Sequence, residues 1–96
     1  MTLFSEAFAL VVMELREKKG WSKAALAEKA GLHQTYISML EFGARSPNIS
    51  TTKALAEAFG IPLSRMVRAA EKKLEEFGDK IGEEREKQWE RMNLKG

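Results

Sequence analysis

Four neighbouring side chains carry groups that can read the edges of DNA bases. They are Gln34, Thr35, Ser38 and Met39. A glutamine amide can form a paired hydrogen bond with adenine, threonine can touch a thymine methyl or donate its hydroxyl, serine is versatile, and methionine offers only apolar contact. Taken without their context, the four residues favour a simpler interpretation, which is a helix face in contact with water. The surrounding sequence has to decide between the two.

A second group of side chains could donate hydrogen bonds to phosphate oxygens. It consists of Lys23, Tyr36, Arg45, Ser46 and Asn48. Donors at helix ends and in the following loop position a protein on a duplex without reading its sequence. Surface lysines and arginines are usually only solvated, so the significance of this group also depends on the fold around it.

No arrangement typical of catalysis accompanies these groups. The acidic residues after position 70 are interleaved with Lys and Arg at spacings of three and four, which indicates a salt-bridged, solvated helix face. The sequence has no glycine-rich phosphate loop, and His33, the single histidine, has no cysteine or second histidine with which to bind a metal. We therefore expect a protein that is not an enzyme and that has no cofactor or metal site.

The segment from Trp21 to Pro47 has the pattern of two short helices joined by a tight turn. Ser22 is a good N-cap, and Gly31 can adopt the left-handed conformation that ends a helix about two turns later. The next segment has an apolar stripe that includes Ile37 and Leu40 and leaves the candidate base-reading side chains on the surface. Ala27 and Ala30 are small enough to let the two helices cross at close distance. The pattern predicts a helix-turn-helix.

The order of these residues resembles the phage repressor and Cro type of helix-turn-helix domain, the xenobiotic-response-element family of transcriptional regulators. The matching pattern runs Ser22-x-x-x-Leu26-Ala27-x-x-Ala30-Gly31-Leu32, then Tyr36-Ile37-Ser38-x-Leu40-Glu41-x-Gly43, then Arg45-x-Pro47. The similarity extends over about residues 5 to 70 and is more specific than a single short motif. It implies an all-α, five-helix, lambda-repressor-like DNA-binding domain with a C-terminal helical extension.

The resemblance also implies roles for individual residues. The early turns of the second helix of the motif enter the major groove in such domains, so Gln34 and Thr35 become the strongest candidates for base reading. Arg45 lies in the loop that the family presses against the DNA backbone. Arg16 is expected to pair with Glu41 in a partly buried ion pair, whose role is structural.

The flanking segments predict three further helices. Residues 3–18 carry apolar side chains at helical spacing and are followed by a glycine. A short helix from Thr51 to Ala58, capped by Ser50, should end at Gly60. A fifth helix should begin near Leu63, with a proline in its first turn.

An apolar stripe continues along this fifth helix and beyond it. It comprises Leu63, Val67, Ala70, Leu74, Phe77 and Ile81, at heptad-like spacing. Its first half should close the core, whereas Leu74, Phe77 and Ile81 would be exposed in a monomer and therefore predict a dimer interface. Two glycines in the second half predict a bend or break. Residues 83–93, polar apart from one tryptophan and one methionine, form either a cap on that interface or a frayed tail.

Composition limits the chain to one small domain and an appendage. Its 96 residues are 44% hydrophobic, and we assign residues 1–70 to the DNA-binding domain and residues 71–96 to the helical extension. The net charge is +2, with nine basic against six acidic residues in 1–70 and seven against eight in 71–96. The chain has no cysteine. The apolar run from Phe8 to Met13 is too short to span a bilayer and lacks the basic leader and the small-residue cleavage site of an export signal, so it indicates a core helix. We expect a cytoplasmic location.

Two functions are compatible with these features. The first is a sequence-specific transcriptional regulator that binds a two-fold operator in double-stranded DNA as a homodimer, either repressing or activating. The alternative is an antitoxin or another protein-interaction module, which would use the same helical domain to bind a toxin or the transcription machinery. Affinity for duplex DNA that falls steeply with rising salt would favour the first function.

Overall fold

The helices follow the caps and apolar stripes of the sequence. The computed structural model describes residues 3–76, and its elements are α1 (Leu3–Lys18), α2 (Lys23–Ala30), α3 (Gln34–Phe42), α4 (Ile49–Phe59) and a fifth helix, α5, over residues 63–76. This part of the chain contains no strand. The predicted all-α, five-helix fold is confirmed, and α1 has the predicted bounds.

Helix α2 is bounded by a cap at each end. The Ser22 hydroxyl accepts a hydrogen bond of 3.0 Å from the backbone amide of Ala25, which satisfies one of the free donors in the first turn of α2. Gly31 ends the helix with φ of 69°. The amide of Leu32 then donates to the carbonyl of Ala27 at 2.8 Å, which closes the C-terminal cap. The predicted N-cap at Ser22 and the predicted left-handed glycine at Gly31 are both confirmed.

The start of α4 differs from the prediction. The helix begins at Ile49, and Asn48 rather than Ser50 is its N-cap, because the Asn48 side-chain oxygen accepts a hydrogen bond of 2.8 Å from the amide of Thr51. Ser50 lies inside the first turn, so its predicted capping role was wrong. Asparagine caps at least as well as serine, and an extended backbone at Asn48 places its side chain over the third amide of the helix.

The core is formed by apolar side chains from all five helices. The largest fully buried side chains are Val12, Leu26, Ile37, Leu40, Leu55 and Met66. On α5 the buried stripe passes through Met66 and Ala70, whereas Val67, which the heptad-like spacing had placed on it, is only half-buried. The spacing from Leu63 to Met66 to Ala70 also lies on one helix face, and Met66 provides the larger apolar volume.

The described end of α5 is attached to the rest of the fold. Leu74 is half-buried and packs against the core, and the Lys73 ammonium lies 2.8 Å from a carboxylate oxygen of Glu14 on α1. Phe77 and Ile81, together with Trp89 and Met92, lie outside the described residues, so the dimer interface remains a prediction. Among the described helices, none combines the length and the apolarity needed to cross a membrane.

Candidate nucleic-acid interface

Helix α3 has one buried side and one exposed side. Ile37, Leu40 and Glu41 are buried, while Gln34, Thr35 and Met39 are exposed, and Ser38 is half-buried. The exposed residues include the first two of the helix, so their side chains are available at its N-terminal end. The fold therefore presents the four candidate base-reading residues together, with Ser38 the least accessible of them.

The buried side of α3 is held by an ion pair with α1. The Arg16 Nε donates to Glu41 Oε2 at 2.6 Å, and Nη2 donates to Oε1 at 3.0 Å. The two side chains are only 12% and 4% exposed. Through these hydrogen bonds and its negative charge, the Glu41 carboxylate raises the pKa of the Arg16 guanidinium against the opposing effect of burial. This paired geometry fixes the orientation of α3 as well as its distance from α1.

The same arginine also reaches the start of α2. Arg16 Nη1 donates to the backbone carbonyl of Trp21 at 2.8 Å. The Trp21 ring stacks on Phe59 of α4, with centroids 5.7 Å apart and an angle of 7° between the planes. The ammonium of Lys29 lies 4.8 Å from the centre of the Trp21 ring, a cation–π distance. Trp21 thus joins α1, α2 and α4 just before the N-terminus of α2.

The candidate phosphate contacts lie at the start of α2, on α3 and in the loop between α3 and α4. Arg45, Ser46 and Asn48 are exposed in this loop, while Lys23 and Tyr36 are half-buried. The Asn48 oxygen is used by the α4 cap, which leaves its amide nitrogen as the group that could donate to a phosphate. Tyr36 packs partly against the core.

One contact in this region was not anticipated from the sequence. The Ser46 hydroxyl lies 2.8 Å from the hydroxyl of Ser5, in the first turn of α1. Gly43, with φ of 89°, turns the chain out of α3, and the amide of Ala44 donates to the carbonyl of Met39 at 2.9 Å. The exposed loop is therefore tied at both ends, to α3 and to α1.

The N-terminus of α3 has no side-chain cap. His33 occupies the N-cap position in an extended conformation, and its imidazole makes no capping hydrogen bond. The first amides of α3 therefore remain available to water or to an oxygen ligand. His33 is exposed, and among residues 3–76 no group of His, Cys, Asp or Glu side chains is arranged to hold a metal ion.

Comparisons with known proteins identify a helix-turn-helix family. The family described as helix-turn-helix matches residues 12–66. An uncharacterized HTH-type transcriptional regulator of Mycobacterium bovis is 36% identical over 69 residues, which are 69% of this chain and 27% of the relative. The immunity repressor protein of Bacillus phage phi105 is 34% identical over 56 residues, 58% of this chain and 39% of the relative. The chain thus spans well under half the length of these relatives.

A solved structure supports the same fold. The crystal structure of the clp gene regulator ClgR from C. glutamicum superposes with a TM-score of 0.70, covering 77% of this chain and 96% of that chain. The sequence identity is 23%. A likeness at this level of identity is evidence for the arrangement of the helices.

Proposed function

Because this chain belongs to the phage repressor and Cro-type helix-turn-helix family, we propose that it regulates transcription as a homodimer that binds a two-fold operator in double-stranded DNA. Helix α3 is the reading helix, and its N-terminal turns lie in the major groove. Gln34 and Thr35 contact base edges, while Ser38 and Met39 make smaller contributions further along the groove.

The single observation that carries this proposal is the exposure of Gln34 and Thr35 at the free end of a helix that is clamped from behind. The Arg16–Glu41 pair and the buried Ile37 hold the opposite side of α3. A rigid helix that displays an amide and a hydroxyl loses little conformational entropy when these groups bind bases.

Contacts to phosphate complete the proposed interface. Arg45 and Ser46 lie in the exposed loop that follows α3, and the Ser5–Ser46 hydrogen bond supports that loop from α1. Lys23 at the start of α2, Tyr36 and the amide nitrogen of Asn48 supply the remaining donors. Contacts of this kind set the register of the protein on the duplex and contribute most of the salt-dependent affinity.

Dimerisation follows from the small footprint of one domain. A single reading helix covers only a few base pairs, and two helices about one DNA turn apart double the contacts and the specificity. We assign the interface to Leu74, Phe77 and Ile81. Leu74 packs partly against its own core, so Phe77 and Ile81 would provide most of the apolar area. Sedimentation of Phe77→Asp at several protein concentrations tests this, and a variant as dimeric as the parent would exclude the assignment.

The experiment that tests DNA reading starts with the selection of bound duplexes from a random pool. On the selected operator, Gln34→Ala should lose about 1 to 3 kcal/mol of binding free energy and relax the preference at one position in each half-site. Arg45→Ala should weaken binding to the operator and to random duplex by the same factor. It should also reduce the magnitude of the slope of log affinity against log salt concentration by about one. Lys18→Ala removes the same charge at the far end of α1 and serves as the control.

The proposal requires Gln34→Ala to reduce sequence preference and Arg45→Ala to reduce the salt dependence of binding. Equal losses on operator and random duplex for Gln34→Ala would show that this residue does not read bases. A slope against salt that is unchanged in Arg45→Ala would show that Arg45 contacts no phosphate. Failure to select any duplex, combined with salt-insensitive binding to random DNA, would reject the DNA-binding function itself.

A further inference from the structure

A groove with an apolar floor runs between α1 and α5, and it shares no residue with the proposed DNA interface. Its volume is about 740 Å³, which falls within the range of small-molecule sites in proteins. The floor is formed by Val11, Leu15, Phe59, Ile61, Met66 and Ala69. Charged side chains, mostly basic, form its rim. The groove therefore combines an apolar surface with a defined electrostatic edge.

The two ends of the groove differ in charge. At one end, Glu14 pairs with Lys73 at 2.8 Å and Lys72 lies 4.0 Å from Glu76, so the charges there are balanced. The other end of the groove lies between the C-terminus of α1 and the N-terminus of α5. Trp21, which follows α1, stacks there on Phe59, the last residue of α4, and the short segment after Phe59 leads into α5.

The other end is cationic. Lys18, Lys19 and Arg65 line the groove there, and among residues 3–76 none of the three forms an ion pair with a carboxylate. Lys18 suits the C-terminal dipole of α1, but Arg65 lies in the first turn of α5, where a cation is unfavourable. The helix dipole therefore disfavours Arg65 at this position, and an anion bound at this end of the groove would offset that effect.

We propose that the groove binds a free amphipathic carboxylate, with its apolar chain on the floor and its carboxylate at Lys18 and Arg65. The distance along α5 from Lys73 to Arg65 is about 12 Å at the usual rise per residue, which suits a medium-length acyl chain. The proposal goes beyond DNA binding, and its test is independent of any operator.

The distribution of charge favours a small ligand over an acidic helix from a protein partner. A helix in a groove places its acidic residues along both edges and needs cations along the whole length. Here the cations at the far end, Lys72 and Lys73, already face Glu76 and Glu14. A ligand with one anionic group and an apolar body matches a rim that is cationic at one end only.

Binding is measured on the full chain with probes that separate the head group from the apolar chain. Trp89→Phe leaves Trp21 as the single tryptophan, and Trp21 reports on the groove because it stacks on the lining residue Phe59. Decanoate is titrated below its micellar range, alongside decan-1-ol, decyltrimethylammonium and acetate, with calorimetry as the second readout. Decanoate should saturate with one site per chain and bind at least about tenfold tighter than decan-1-ol, a difference of about 1.4 kcal/mol. The cation and acetate should not bind.

Variants of the groove then locate the site. Arg65→Gln and Lys18→Gln should each weaken decanoate binding severalfold without changing decan-1-ol binding. Ala69→Phe fills the floor and should abolish both, with circular dichroism confirming that the variant is folded. Lys53→Gln removes an exposed lysine of α4 outside the groove and should have no effect.

Three results would overturn the proposal. Equal affinity for decanoate and decan-1-ol would show that the cationic end is not used. An Arg65→Gln variant that binds decanoate as the Lys53→Gln control does would have the same meaning. Displacement of decanoate by a tighter-binding acidic amphipathic peptide would reassign the groove to a protein partner.

Discussion

Removing either partner of the Arg16–Glu41 pair should destabilise the fold far more than removing an exposed pair. The two charges meet in a paired geometry at 2.6 and 3.0 Å and are only 12% and 4% exposed. Breaking a buried pair by deleting one charge costs about 3 to 5 kcal/mol. Arg16→Ala should lie in the upper part of this range because it also removes the hydrogen bond to the Trp21 carbonyl.

Such a loss is a large share of the stability of a small domain. Domains of this size unfold with about 5 to 15 kcal/mol, so Arg16→Ala and Glu41→Ala should each lower the melting temperature by roughly 12 °C or more. The assay is urea unfolding monitored by circular dichroism. The unfolding free energy is extrapolated to water, and its slope against urea concentration is compared among the variants. An unchanged slope shows that the variants still unfold from a native-like state.

The Lys73–Glu14 pair is the matched control in the same chain. Its charged atoms lie at a similar distance, 2.8 Å, but the side chains are 21% and 58% exposed. Solvent screening limits such a pair to about 0.2 to 1 kcal/mol. A double-mutant cycle for each pair should therefore give a coupling energy several times larger for Arg16 and Glu41 than for Lys73 and Glu14.

Two outcomes would refute the reasoning. Single variants of Arg16 and Glu41 that unfold within about 1 kcal/mol of the parent would show that burial does not strengthen the pair. Equal coupling energies in the two cycles would show that distance rather than burial sets the contribution. By contrast, replacing both Arg16 and Glu41 with apolar residues should cost less than either single change, because no charge is then left buried alone.

Three further predictions concern caps and pH. Gly31→Ala should lower the unfolding free energy by about 1 to 2 kcal/mol, because its φ of 69° is unfavourable for a residue with a side chain. No neighbouring atom lies within 4 Å of the added methyl group, so no clash adds to this cost; urea unfolding measures the change. Asn48→Ala, which removes the cap of α4, should cost about 1 kcal/mol in the same assay, whereas Ser50→Ala should stay within about 0.5 kcal/mol. Hydrogen bonding to Glu41 raises the pKa of Arg16, so the stabilisation is fully present below the ordinary arginine value and is lost only above it. The difference in urea midpoint between the parent and Arg16→Ala should therefore not change between neutral and moderately alkaline pH.

The features that the sequence predicted well are those decided within a few residues. The Ser22 cap and the ends of α2 at Gly31 and of α4 at Gly60 each depend on contacts three to five residues away, so residue type and position are sufficient. The cap of α4 was missed because two good capping residues, Asn48 and Ser50, lie two positions apart. Only the path of the loop that precedes α4 selects between them.

The features that the sequence did not reveal depend on contacts between distant segments. Ser5 and Ser46 are 41 residues apart, and nothing in either local pattern announces their hydrogen bond. The stacking of Trp21 on Phe59 and the burial of Met66 likewise follow from how α1, α4 and α5 pack. Gln34, Thr35 and Met39 lie on the exposed side of α3 and Ser38 is half-buried, an arrangement that follows from the local apolar stripe. The contacts of these residues with DNA remain a prediction.

The two central helices, α2 and α3, are too short to fold independently of the rest of the domain. Helices α2 and α3 contain 8 and 9 residues, and helices of this length are not stable alone in water. They are stabilised by packing against each other and against α1 and α4, so unfolding of the domain also removes the exposed face of α3. Under the proposed function, the number of molecules able to bind an operator would follow the folded fraction directly, and a destabilising mutation far from α3 would act through that fraction.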